Sequence, residues 1–210
     1  MPSDSQGSAA TFAAIGMKCN FIVACPAGAD PAALLRDLPP LDVSASDALA
    51  TQILGKRSWG RRRRSHRTGD LSGEVYPRDG EIAVAVYGDL IIAAFDDAVG
   101  WIGEAIDDWG WALIDTHDVD AFLLHCVVNL GGFARWRDGS IVRTVSGSGD
   151  DGLIDEDGTP LPFERDVDPG EDGFGWVTEL AIRDRLGFSY EGPSSPEDLD
   201  PRTVPLFVYR

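Results

Sequence analysis

An Asp-Gly pair at 138–139, flanked by Phe-Ala-Arg-Trp-Arg before it and Ser-Ile-Val-Arg-Thr-Val-Ser after it, constrains this chain more than any other feature. Glycine supplies the positive φ that a two-residue hairpin turn requires, and the flanks carry the β-branched and aromatic residues that suit a half-buried pleated surface. The block from Phe122 to Glu164 is therefore expected to hold an antiparallel hairpin, entered through Phe-Leu-Leu-His-Cys-Val-Val-Asn and left through Pro-Leu-Pro-Phe-Glu. No complete catalytic, metal or phosphate motif lies in it, so it dictates a scaffold and not a chemistry.

Other segments extend the same logic. Met17 to Cys25 is rich in Phe, Ile and Val and predicts a buried first strand. Asp30-Pro31 opens a short helix that Pro39-Pro40 closes, and Ser44 to Leu54 predicts a second, with Ser44 as its cap, Asp47 three residues on and Gly55 as its stop. Glu81 to Tyr87 and Leu90 to Phe95, around Gly88-Asp89, predict a hairpin buried on both faces. Asp96-Asp97 caps an amphipathic helix whose inner positions are Val99, Ile102, Ile106 and Trp109. Trp111 to Thr116 and Ala121 to Leu130 read as strands, with Gly131-Gly132 a bulge or bend in a long strand. Ser146 to Gly158 reads as a loop, and Pro160 and Pro162 hold Pro-Leu-Pro-Phe extended. Gly173 to Leu186 predicts a last helix, stopped at Gly187, and Val204 to Tyr209 an edge strand. Hairpins dominate, so the expected class is α+β: one domain with a largely antiparallel or mixed sheet and about four helices packed on it.

The chain has 210 residues, 43% of them hydrophobic, enough for one substantial core. Its longest apolar runs fall far short of the roughly 20 residues that span a bilayer, so no membrane role is expected. Residues 1–16 are small and polar without a basic n-region and read as a disordered leader or a misassigned start, which places the domain at 17–210 with Met17-Lys18 as a candidate start. Three cysteines, Cys19, Cys25 and Cys126, are too few and too odd for a disulfide framework and suit the cytoplasm.

A formal charge of −17 argues against nucleic acid as a partner of the bulk surface. The exception is a basic loop at 56–70, where Lys56, Arg57, Arg61, Arg62, Arg63, Arg64 and Arg67 fall within twelve positions that hold no acid. Such a run is either a solvated loop, a binding element for an anionic partner, or a segment folded back on the protein's own acidic surface. Trp59 beside it could stack on a base, which makes Trp59 and Arg61 to Arg64 the candidate binding residues.

Reactive side chains are scattered. His125 and Cys126 adjoin, with Asp115, His117, Asp118 and Asp120 upstream, which are the ingredients of a thiol or acid/base site. Successive strand residues point to opposite faces, so His125 cannot serve as base to Cys126 if the segment is a strand, and the alternative is a buried structural cysteine beside a structural histidine. Asp155, Asp157, Gly158 and Glu164 match four positions of a calcium loop, but its first position is Leu153 and Pro160 and Pro162 block the exiting helix. Asp166, Asp168, Glu171 and Asp172 are expected to be solvated acids rather than ligands. Neither a phosphate cradle nor a zinc spacing is present, and no cofactor or metal is expected.

From Met17 onward the chain resembles an uncharacterised, mostly actinobacterial family of roughly 200-residue domains of unknown function. The resemblance rests on Asp30-Pro31-Ala32, Tyr76-Pro77-Arg78-Asp79-Gly80-Glu81, His125-Cys126-Val127-Val128-Asn129, Trp136-x-Asp138-Gly139, Pro160-Leu161-Pro162-Phe163-Glu164, Leu186-Gly187-Phe188 and Glu191-Gly192. In the family a serine commonly stands in place of Cys126 and an acid in place of Asn129, which weighs against a thiol mechanism. The resemblance implies no activity. The leading expectation is a non-enzymatic cytoplasmic binding or interaction domain whose partner is a protein or a small anionic ligand. Its alternatives are a hydrolase or transferase using His125 or His117 with a nearby aspartate, and anion binding through Arg61 to Arg64.

Overall fold

A computed structural model describes residues 17–54, 66–78, 80–102, 106, 108–165, 167–169, 173–192 and 194–210. Its centre is one sheet of nine strands, every neighbouring pair antiparallel, in the order β2-β9-β3-β4-β1-β5-β6-β7-β8. The strands are β1 (Lys18–Pro26), β2 (His66–Asp70), β3 (Ile82–Tyr87), β4 (Leu90–Ala94), β5 (His117–His125), β6 (Leu130–Arg137), β7 (Ser140–Ser148), β8 (Gly152–Gly158) and β9 (Pro205–Tyr209). The helices are α1 (Pro31–Arg36), α2 (Val43–Ile53), α3 (Asp108–Ile114) and α4 (Phe174–Leu186). Among the described residues no helix is long and apolar enough to cross a membrane.

Strand alternation sorts the core into two layers. Cys19, Phe21, Val23 and Cys25 of β1, Phe122 and Leu124 of β5 and Phe133 of β6 pack with Leu35 of α1 and with Phe174, Val177, Ala181, Ile182 and Leu186 of α4. Ile22, Ala24, Val119, Ala121 and Ala134 point the other way, against Ala50 of α2, Ile114 of α3 and Ile102, which precedes that helix in the chain. Both faces are therefore covered, which is why β3 and β4 read as unbroken apolar runs.

The Asp138-Gly139 turn forms as its residue types demand: Asp138 has φ 50° and Gly139 φ 75°, a primed turn between β6 and β7. Helix α4 ends where Gly187 takes φ 75° and returns its N–H to the Arg183 carbonyl. Its start crosses β6 and β7 so closely that a Cβ on Gly131 would lie 2.3 Å from the Phe174 carbonyl oxygen, and one on Gly147 2.3 Å from the Phe174 ring. Asn129, held at φ 46°, accepts a hydrogen bond from the Gly175 N–H at 3.3 Å and satisfies one of the helix's unpaired donors. Gly131→Ala should therefore lift α4 off the sheet and lower stability by about 2–3 kcal/mol, the upper range for overpacking, because the obstacle is backbone. An unchanged urea midpoint would contradict this.

Several expectations are corrected. The cap of α2 is Asp42, whose carboxylate accepts from the Ala45 N–H at 2.9 Å, and not Ser44. The single helix read from Asp96 onward is instead a 3-10 turn at Asp96–Trp101, where Gly100 weakens helical propensity, and a separate helix α3 from Asp108. Trp111 to Ile114 is helical and not a strand: Ile114 is buried while Trp111 and Ala112 are exposed, a spacing that a short apolar run does not reveal. The strand read through to Leu130 instead stops at His125, turns at Cys126–Val128 and reverses into β6. Pro162 opens a 3-10 turn, Pro162–Glu164, so only the residues before it are extended. The loop expected at Ser146 to Gly158 is the β7–β8 hairpin, and Asp155, Glu156 and Asp157 make β8 an acidic edge strand. Finally, β9 is interior, because the end of the expected basic loop, 66–70, is itself edge strand β2.

Candidate functional site

The candidate catalytic residues are not brought together. His117 and His125 stand at the two ends of β5, opposite Pro26 and Lys18 of β1, roughly 26 Å apart at the usual strand rise. Both occupy the face of β5 that carries Val119, Ala121 and Leu123, whereas Asp118 and Asp120 occupy the other. Cys126 packs against the opposite layer from His125's face, so strand alternation separates that pair as well. Asp115 is an exposed turn residue, and the His117 ring meets Thr116 Oγ1 at 2.9 Å. Among the described residues the buried Nδ1 of His125 has no hydrogen-bond partner.

Cys126 is no activated nucleophile. Burial, and then the Glu191 carboxylate that accepts its S–H, push the thiol up to about 12. At pH 8 the thiolate fraction is then about one part in ten thousand. Burial also raises Cys25 and Cys19. A thiol reagent at pH 8 should accordingly leave all three free cysteines unmodified for hours in the folded protein and titrate them within minutes in urea. Rapid native labelling of Cys126 would refute the assignment.

Asp118 and Asp120 belong to an ion-pair cluster on the α4 side of the sheet. Asp120, with its side chain 2% exposed, receives Arg135 Nε at 2.7 Å, Arg137 Nη2 at 3.0 Å and Arg185 Nε at 2.7 Å. Arg135 also reaches Asp184 at 3.1 Å, Arg137 lies 3.4 Å from Asp118, and Asp118 accepts the Gly28 N–H at 2.9 Å. Three carboxylates and three guanidiniums thus close on one another and tie the turn after β1 to β5, β6 and α4. The cluster is internally balanced and reads as a structural clamp.

A concave site lies on the same side of the sheet, where β7 and β8 run out past α4. It is a cavity of about 420 Å³ whose wall is formed by Leu153, Pro160, Val167, Pro169, Phe174 and Val177, with Arg143, Glu156, Glu164 and Asp168 as its charged lining. Arg143 leaves β7 on the core-facing side, two residues before buried Val145, and its side chain is 3% exposed. Its Nε lies 3.1 and 3.0 Å from the two oxygens of Glu164, its Nη2 donates to Glu164 at 2.7 Å and Glu156 at 2.8 Å, and its Nη1 to the carbonyls of Asp157 at 3.3 Å and Gly158 at 3.2 Å. Glu164 is fixed in turn by the Leu161 N–H at 2.7 Å. The prolines that exclude a calcium loop thus serve to bring Glu164 back under β7.

Glu164 and Asp168, weighed from the sequence only as ion ligands and set aside, line this cavity, whereas the candidate catalytic residues His117, His125, Asp115 and Cys126 do not. The missed signal was Arg143, a charge at a strand position whose neighbour two residues on is apolar and core-facing. Among the described residues no group of three or more His, Cys, Asp or Glu is arranged to hold a metal ion. Trp59 and Arg61 to Arg64 lie outside the described residues. Arg67, the last of the basic run, sits on β2, pairs with Glu74 and lies 3.6 Å from Glu81, so at this residue the run does turn back on the protein's own acids.

Compared with known proteins, residues 21–209 match the model of a family of unknown function, DUF6928. No curated protein and no solved structure matches the chain.

Proposed function

Because the chain belongs to this family of unknown function, whose description brings no activity with it, we propose a role from geometry alone: the domain binds a small ligand, without transforming it, in the cavity between β7, β8 and α4. The carrying observation is the cavity itself. Its volume of about 420 Å³ falls in the range of small-molecule sites, its wall is apolar, and a few charged groups converge at one side. Arg143 and Glu164 are held by so many mutual bonds that this side is pre-formed, which lowers the ordering cost of binding. The carboxylates of Glu156 and Glu164 are engaged as acceptors for Arg143, which supports a binding role.

A thermal-shift panel of small aromatic alcohols, acids and amines tests this reading. At ligand concentrations several times Kd a binder should raise Tm by about 1–3 °C. Leu153→Trp, a change at a half-exposed edge position that fills the mouth of the cavity, should abolish every such shift while leaving the unliganded Tm within about 2 °C. Shifts that survive in the Leu153→Trp protein would place binding elsewhere and defeat the reading.

A further inference from the structure

We propose that the ligand is a cation, a protonated amine or comparable hydrogen-bond donor carried on an apolar body. This rests on the binding role proposed above and adds the chemical class. Two carboxylates, Glu156 and Glu164, share the lining guanidinium of Arg143, so this group carries a net negative charge with Glu156 as its exposed member. That guanidinium cannot recognise an anion. All three of its nitrogens already donate, to Glu164, Glu156 and the carbonyls of Asp157 and Gly158, and almost none of the side chain reaches solvent. An incoming carboxylate or phosphate would have to displace Glu164, itself anchored by the Leu161 N–H, while entering among like charges.

A cation meets the opposite situation. Glu156 gives Arg143 its Oε1 at 2.8 Å and remains 44% exposed, so an ammonium can approach its carboxylate without breaking a bond already made. The Phe174 ring and the aliphatic wall of Val167, Val177 and Leu153 offer the apolar body its burial. At long range the chain's charge of −17 raises the local concentration of cations and depletes anions.

The test is isothermal titration calorimetry with three near-isosteric probes that share an indole ring and a two-carbon chain: tryptamine, tryptophol and indole-3-acetate. Tryptamine should bind at least about tenfold tighter than indole-3-acetate, with tryptophol between them, and the preference should shrink as NaCl rises from about 20 to about 300 mM. Glu156→Gln keeps an acceptor for Arg143 while removing the charge. It should weaken tryptamine about three- to tenfold and leave tryptophol unchanged. Equal binding of all three, tighter binding of indole-3-acetate, or a tryptamine preference that persists in a Glu156→Gln, Asp168→Asn double variant would overturn the charge assignment and leave the cavity a ligand site of another class. Silence from all three overturns it too, and the thermal-shift panel then decides separately whether the cavity binds anything.

Discussion

Asp120→Ala is expected to lower the free energy of unfolding by about 3–5 kcal/mol, the range for stripping one partner from a buried ion pair. The reason is what remains. Arg135, Arg137 and Arg185 all converge on this carboxylate, and their side chains are 11%, 21% and 14% exposed, so its loss leaves three cations facing one another with little water to screen them. Arg135 keeps Asp184 and Arg137 keeps Asp118 at 3.4 Å, whereas among the described residues Arg185 keeps its contact to the Cys25 sulfur at 3.3 Å. Arg185 sits in the last turn of α4, so its release should loosen that helix from β5 and β6. Arg135→Met should cost less than the aspartate change, because two guanidiniums still hold Asp120. Urea unfolding followed by tryptophan fluorescence reads both. An Asp120→Ala midpoint equivalent to less than about 1 kcal/mol of loss would show that the cluster is solvated and contributes as little as an exposed pair.

The sheet was legible because its strongest signals are local. Asp138-Gly139 permits a single kind of turn, and Gly88-Asp89 between two apolar runs closes the β3–β4 hairpin. Helix α4 likewise announces itself by a stretch ending in Gly187. The misreadings fall where local preference is weak and tertiary partners decide. Leu153 to Gly158 is too acidic to propose itself as a strand, yet β7 offers it a template. Trp111 to Ile114 carries enough apolar residues for either structure, and only the layer it covers selects the helix. For the candidate site the limit is sharper. His125, Cys126 and Asp118 attract notice because their chemistry is visible one residue at a time, but alternation along β5 and the turn after it send them to different faces. Arg143 and Glu164 are 21 residues apart, and their meeting depends on the path of β8 and the turn at Pro162.

Arg143→Met is expected to cost about 3–5 kcal/mol as well, through the mirror image of the same effect. Glu164 is 7% exposed and would lose every bond to its guanidinium, keeping among the described residues the Leu161 N–H. A carboxylate left so in an apolar surround has to move towards water, and the route open to it is through the cavity wall. Pairing the change with Glu164→Leu removes the stranded charge. The double variant should therefore recover at least half of the single variant's loss, a strongly non-additive result in a double-mutant cycle. Additive losses would mean that the two side chains do not form the unit described. Ligand binding should be lost in Arg143→Met even at temperatures where the protein remains folded, since the pre-formed side of the cavity goes with it.

Entry of a small cation into the cavity between β7, β8 and α4 can be observed residue by residue. It is tested most directly by titrating tryptamine into methyl-labelled protein and following the Leu and Val methyl resonances. Saturable shifts are expected at Leu153, Val167 and Val177, which line the cavity, with Val84 and Val208 at the far end of the sheet unmoved. Shifts spread evenly over the surface, or confined to methyls outside that lining, would contradict it.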